Sequence, residues 1–233
     1  MNWLFANFEL VMELTLNHVR LSVIPIILGF LIAVPLGRLT LAGRFTRGTI
    51  ITITSLLYTI PSLPLFVILP AILGTKVLSE VNLIVGLTIY AVAIMVRASA
   101  DAFGAVSDDT KQAATAMGFS PWSAFWRVEF PLAGPVLLAG LRIVSASTIA
   151  LVSVGVLIGS ANLGYLFTNG KARNNLEEVM VGIVASLLIA LIFDAILVLL
   201  GRTLLPWSRT DRATRRRART ETVTAPLQAA GAA

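Results

Sequence analysis

"KQAATAMGFSPWSAFWRVEFPLAGP", residues 111–135, stands between two strongly apolar stretches without being apolar itself. Lys111, Gln112, Arg127 and Glu129 interrupt it, Trp122 and Trp126 stand among them, and Pro121, Pro131 and Pro135 bracket short helical pieces. A helix that crosses a hydrocarbon core needs about 20 consecutive, predominantly apolar residues, and this segment does not supply them. It reads as a structured, amphipathic piece outside the bilayer. The fold class turns on what flanks it.

The flanks are membrane spans. The chain of 233 residues is 57% hydrophobic and only 13% charged, with a mean hydropathy of +0.87. That is too little charge to cover the surface of a soluble domain of this length. Five apolar runs of spanning length can be drawn, at 19–37, 48–73, 83–103, 134–158 and 179–204. None alternates with the period of two that marks an outer-membrane barrel strand. The expected fold is an all-α integral membrane protein with about five transmembrane helices. Residues 1–18, which carry Glu9 and Glu13 rather than a basic leader, form an amphipathic lead-in. Residues 19–205 form the membrane domain, with a loop at 104–133, and 206–233 a basic, disordered tail.

Lysine and arginine placement sets the expected orientation. With the N-terminus outside, the cytoplasmic side receives Arg38, Arg44, Arg47, Lys111, Arg127 and the tail. The outer side receives Arg20, Lys76, Lys171 and Arg173, accompanied by Glu80, Glu177 and Glu178. The C-terminus then lies inside, and residues 111–135 begin in the cytoplasm. A net charge of +6 could suggest nucleic acid, but Arg209, Arg212, Arg215, Arg216, Arg217 and Arg219 crowd into the tail. There they read as a topology signal in contact with anionic membrane lipid, and no nucleic-acid partner is expected.

Span two contains "YTIPSLPLFVILP", with Pro61, Pro64 and Pro70. Proline removes a backbone donor and clashes with the preceding turn, and carbonyls freed in a bilayer must find protein or a water-lined cavity. A packing kink is one reading. Two prolines three apart beside Ser62 favour the other, a broken helix lining a pathway. Tyr58, Phe66 and Tyr90 lie near the same depth, and aromatic faces attract quaternary amines through cation–π contact. Tyr58, Pro61, Ser62 and Tyr90 are therefore the candidate pathway residues.

No phosphate-binding G-x-x-x-x-G-K-[ST] loop, no Cys and no metal-ligating cluster occurs, and no Ser, His and Asp set gathers on one side of the membrane. The chain is read as no enzyme, binding no cofactor and no metal. Its energy source must be a partner or an ion gradient. Five spans without an internal repeat further imply an oligomer.

The opening stretch also carries an exact interval pattern: Gln112-Ala113-Ala114, three residues, Gly118, nine residues, then Val128-Glu129-Phe130-Pro131. This resembles E-A-A-x3-G-x9-I-x-L-P, the cytoplasmic loop of the permease subunits of bacterial type I ABC importers, with Gln112 in place of the glutamate. "HVRLSVIPIILGFLIAVPLG", "YTIPSLPLF", "GPVLLAGLR" and "IGSANLG" extend the resemblance over residues 15–205 and look like the branch importing quaternary-amine osmoprotectants (glycine betaine, choline, carnitine, proline betaine). The branch's usual "GAGGLG" is here "GSANLG" at 159–164.

The resemblance implies a multi-pass protein of the bacterial plasma (inner) membrane. It implies two permeases, identical or sister chains, over ABC ATPase subunits that bind ATP and Mg, and an extracytoplasmic substrate-binding protein. It makes 104–133 the coupling loop and Gln112, Ala113, Ala114, Gly118, Pro121, Trp122 and Pro131 its ATPase contacts. Locally, Gly118 suits a left-handed helix end. Ser120 and Pro121 suit a helix start.

An amino-acid or methionine ABC permease would share this architecture. An ion-coupled carrier is the rival of a different class, supported by Asp194 within span five. Arg142 in span four lies at a similar depth, and the two are expected to form a structural intramembrane ion pair.

Overall fold

A computed structural model describes residues 2–207, all of whose regular elements are helical. The basic tail expected over 206–233 lies outside the described residues from 208 onward. A short helix α1 (Asn2–Ala6) leads into α2 (Phe8–Leu39). Helix α2 runs unbroken through residue 18, where a lead-in was expected to end and a span to begin. No glycine or proline occurs between Phe8 and Ile24, so nothing stops the helix there. A 3-10 turn (Thr40–Ala42) and Gly43 then reverse the chain into α3 (Arg44–Thr59).

The second apolar run is divided. Helix α3 ends at Thr59, α4 (Ser62–Leu73) begins after the two intervening residues Ile60 and Pro61, and their axes bend by 103°. A residue before proline is pushed out of the helical region, and Ile60 lies at φ −66°, ψ 126°. Pro64 falls in the first turn of α4, where its missing N–H has no intrahelical partner to lose. Four segments follow: α5 (Glu80–Gly104), α6 (Asp108–Ala116), α7 (Pro121–Ala124) and a π-helical turn (Phe125–Glu129). The last passes directly into α8 (Phe130–Val152), which tightens into a 3-10 stretch (Ser153–Ile158). Helix α9 (Gly164–Ala172), unexpected from a nine-residue segment rich in glycine and polar groups, packs as a hairpin on α10 (Leu176–Leu204). Gly170 and Gly182 allow that contact, since a Cβ on either would meet Val179 or Phe167 inside van der Waals distance. Among the described residues four helices are long and apolar enough to span, and five when the bent pair counts as one.

Helix α5 is the central post. Its buried face holds Ala91, Met95, Val96 and Phe103 against Ala33 and Val34 of α2 and Leu137 and Val144 of α8. Gly29, Ala33 and Gly37 recur every four residues on α2, a small-xxx-small stripe of the kind that lets membrane helices approach closely. A Cβ on Gly29 would lie 2.5 Å from that of Ala91, and one on Gly37 would lie 2.9 Å from the backbone of Ser99 and Ala100. On the far side, Gly140 of α8 meets Ala98 in the same manner. Ion pairs tie α2 at two points: Arg20, twelve residues into the helix, to Glu80 at 2.7 Å, and Arg38, in its last turn, to Glu129 at 2.8 Å. His18 stands one residue before the first apolar run and so reads as a polar anchor at a membrane boundary; it is instead fully buried, with Nε2 2.9 Å from the Ile149 carbonyl oxygen of α8.

Gly37→Val forces α2 from backbone rather than from a movable side chain, an overpacking cost of about 1–3 kcal/mol. Gly48→Val on α3 meets open space. The first variant should lower the detergent melting midpoint by about 5 °C and the second should leave it within about 1 °C; equal midpoints would remove the close-contact account.

Candidate functional site: a helix break and a surface segment

Three places hold the residues singled out by the sequence. The first is the surface segment. Ser107 caps α6, its hydroxyl accepting from the Thr110 N–H at 3.3 Å, and Asp108 and Asp109 sit in the first turn, where negative charge suits the helix dipole. The helix ends in a Schellman motif: the Phe119 N–H donates to the Ala114 carbonyl at 3.1 Å and the Gly118 N–H to Thr115 at 2.9 Å. Gly118 takes φ +84° to make that turn, and its missing Cβ would face open space. Ser120 then caps α7, accepting from the Ser123 N–H at 3.3 Å, with Pro121 at the first helical position.

The alanine pair is split by this geometry. Ala114 is buried in its own chain, whereas Ala113 and Gln112 are exposed. The resemblance makes both alanines outward contacts, whereas the helix turns them to different sides, because residues 100° apart cannot share one narrow outer face. What the segment offers outward is larger. Trp122 is 73% exposed and Met117 70% exposed, an apolar surface left uncovered by the described residues. Trp122, Phe125, Trp126 and Phe130 form a continuous aromatic stack with centroid separations of 5.0–6.4 Å, and Phe103 of α5 joins it at Phe125. Pro131 is half-buried where α8 begins. Glu129, in the π turn and buried, is held by Arg38 of α2 through two contacts of 2.8 and 3.1 Å.

The second place is the break between α3 and α4. The structure gathers Tyr58, Pro61 and Tyr90 around it. The Ile60 carbonyl, freed by Pro61, accepts from the Tyr90 hydroxyl of α5. Tyr90 is buried and its ring meets those of Tyr58 and Phe66 edge-on at 6.1 and 6.5 Å. Tyr58 is 55% exposed, Pro61 is exposed and Ser62 half-buried. Gly86 of α5 leaves the space Phe66 fills.

Two features here escaped the sequence reading. Thr52, Ser55 and Thr59 are all exposed and lie three and seven residues apart, one face of α3. Onto that hydroxyl stripe Arg97 of α5 projects, its guanidinium donating to Ser55 Oγ at 3.4 Å. The signal was present: an ionisable residue inside a span is a functional candidate by default, and three hydroxyls at helical spacing in an apolar run are a second. No Cys, His and carboxylate grouping able to hold a metal occurs among the described residues.

The third place joins α8 and α10. Arg142 Nε donates to Asp194 Oδ1 at 2.5 Å and a terminal guanidinium nitrogen to Oδ2 at 2.8 Å, a bidentate fork. Both side chains are about two-fifths exposed in this chain alone, beside an α10 face of uncovered Leu187, Leu188, Leu191 and Ile192.

With this geometry in hand, residues 25–206 match the family model described as binding-protein-dependent transport system inner membrane component. The choline transport system permease protein OpuBB of Bacillus subtilis is 31% identical over 192 residues, covering 82% of this chain and 87% of that protein. The carnitine transport permease protein OpuCD of Listeria monocytogenes is 27% identical over 202 residues, covering 86% and 89%. The fold is that of a chain in an inward-facing structure of the MetNI methionine ABC transporter, with TM-score 0.75 and 20% identity over 85% of this chain and 98% of that one.

Tyr90→Phe removes the donor that the Ile60 carbonyl accepts from among the described residues while keeping the ring. A part-buried acceptor left unsatisfied costs about 1 kcal/mol, so the variant should melt a few degrees lower, and faster hydrogen exchange should be confined to residues 57–65. An unchanged melt and unchanged exchange at the break would mean the hydroxyl does not hold it.

Proposed function

This chain belongs to the family of binding-protein-dependent transport system inner membrane components, and we propose that it carries quaternary-amine osmoprotectants across that membrane. It is a multi-pass permease subunit of a type I ABC importer and not an enzyme; ATP hydrolysis belongs to a separate subunit. The substrate reading is supported by likeness to permeases named for choline and for carnitine over more than four-fifths of this chain.

The observation that carries the mechanism is the rigid surface segment built directly onto a spanning helix. Its Schellman turn, capped restart and π turn hold Met117, Pro121 and Trp122 outward, while Glu129 and the aromatic stack bind it to α2, α5 and α8. A push on that surface is delivered to three spanning helices at once. ATPase subunits, binding ATP and Mg themselves, dock on Gln112, Ala113, Gly118, Pro121 and Trp122 from the cytoplasm, with the N-terminus of this chain outside and its C-terminus inside. Ala114 and Pro131 shape the segment from within. A second permease subunit covers the apolar face of α10, an external binding protein delivers substrate, and the pathway runs by Tyr58, Pro61, Ser62 and Tyr90.

The carrier alternative loses its support, because Asp194 is held by Arg142 rather than free to exchange ions. We assign this pair a structural role, fixing the register of α8 and α10. Removing either charge should lower folded yield several-fold, and the double exchange Arg142→Asp with Asp194→Arg should restore part of it. Asp194→Asn that folds normally but loses only transport would place Asp194 in the pathway instead.

The substrate is tested by ligand profiling of the cognate binding protein and by uptake in vesicles holding the assembled transporter. Binding of glycine betaine, choline or carnitine is expected, and binding of amino acids alone would replace this reading. In the same vesicles Gly118→Val, forced into φ +84°, should abolish uptake while membrane insertion persists; normal uptake would detach this segment from coupling.

A further inference from the structure

The hydroxyl stripe of α3 ends at the helix break, and Arg97 is the residue that makes it a site. Arg97 lies seven residues before the end of α5, roughly 10 Å along the axis. Ser55 lies eleven residues into α3, roughly 16 Å from its start. Both therefore sit well within the bilayer. A guanidinium costs about 2.5–3.5 kcal/mol against lipid at the centre of a span and less toward its ends, so this face favours water or protein. Arg97 is nevertheless exposed in this chain, and among the described residues no carboxylate lies within ion-pair distance of it. The nearest acid along α5, one turn further on, is Asp101, which faces Arg47 at 3.8 Å. Arg97 holds only a long contact to a serine hydroxyl. It is a cation with donors to spare, aimed along a polar stripe.

An aromatic ring stands beside it. Tyr58 is three residues from Ser55 on the same helix, so their Cβ atoms are about 5–6 Å apart, and its ring is more than half exposed. Tyr90, set edge-on behind it with its hydroxyl committed to Ile60, fixes that ring in place. A planar fork of donors and an aromatic face, one short molecule apart, match two opposite charges on a single ligand. Guanidinium pairs with carboxylate in bidentate fashion, and the ring attracts a quaternary ammonium.

We propose that Arg97 with Ser55 receives the carboxylate, and Tyr58 the ammonium, of a zwitterionic quaternary amine in transit. The inference rests on the osmoprotectant reading and narrows it: compounds of the betaine class, bearing a carboxylate, are preferred over choline, which bears a hydroxyl in its place. Arg97 is thereby a specificity-determining residue within the membrane, separate from whatever selection the binding protein makes.

The test uses the complete transporter with its ATPase and binding protein in vesicles, with radiolabelled glycine betaine and choline. Arg97→Gln should reduce glycine betaine uptake at least tenfold, while assembly and the ATPase rate evoked by loaded binding protein stay within twofold of wild type. Arg97→Lys, which keeps the charge without the fork, should recover part of the loss. Choline uptake should change less than twofold. Unchanged glycine betaine uptake in Arg97→Gln would overturn the proposal, as would a parallel loss of both substrates together with the ATPase response. A wild-type transporter that carries choline and no carboxylate-bearing amine would overturn it while leaving the osmoprotectant reading intact. Transport of neither quaternary amine would instead remove that reading, and this inference with it.

Discussion

The close approach of α2 to α5 is the contact on which the remaining geometry depends. Gly29, Ala33 and Gly37 bring the helix axes near enough for Ala91 and Ser99 to lie against backbone. In a bilayer this packing has no hydrophobic driving force to replace it, because lipid tails are as apolar as leucine. Once α2 is seated, it is tied at two points along its length: Arg20, twelve residues into the helix, meets Glu80, and Arg38, in its last turn, meets Glu129. The second of these pins the π turn, and so fixes where the segment begun at Ser107 can lie relative to the spans.

Two kinds of polar group inside the membrane are treated differently. The Ile60 carbonyl is freed by Pro61 and answered by Tyr90, and Asp194 is answered by Arg142, in each case by a side chain from another helix. These pairings satisfy groups that could not face lipid. Arg97 is left with one weak partner on a face of hydroxyls. A fold that satisfies its own broken backbone with care and leaves a guanidinium underused has placed that charge for something other than its own cohesion.

Much of this was legible in the sequence. Hydrophobic run lengths gave the spans, Pro61 and Pro64 gave the break, and Ser107, Gly118 and Ser120 followed rules local enough to read from neighbours. Depth arithmetic on the last two spans brought Arg142 and Asp194 level. What was not legible required knowledge of facing. Adjacent alanines 113 and 114 look equivalent in a string, and only the rotation of α6 against the aromatic stack sends one inward. His18 reads as a boundary residue until α2 is seen to continue past it and set its ring against Ile149 of α8. Tyr90 and Ile60 are thirty residues apart, and no pattern of spacing links a hydroxyl to the carbonyl it caps. Helix α9 has too weak a periodicity to announce itself and exists because glycines let α10 receive it.

The π turn at Phe125–Glu129 explains why the recognisable motif is one of intervals more than of residue types. An extra residue within a helix rotates everything after it by about 100°. Gly118 and Pro131 are separated by twelve residues, which span a left-handed stop, a capped start and this widened turn in succession. Loss of one residue there would leave every local preference satisfied, yet it would turn Trp122 and the buried face of α8 out of phase with each other. Away from Gly118, whose φ of +84° no β-branched residue adopts readily, substitution along this stretch disturbs less than a change of length. The segment acts as a vernier: its chemistry can drift from Glu to Gln or from Ile to Val, while the angle it sets between a docking surface and a membrane helix is kept by counting.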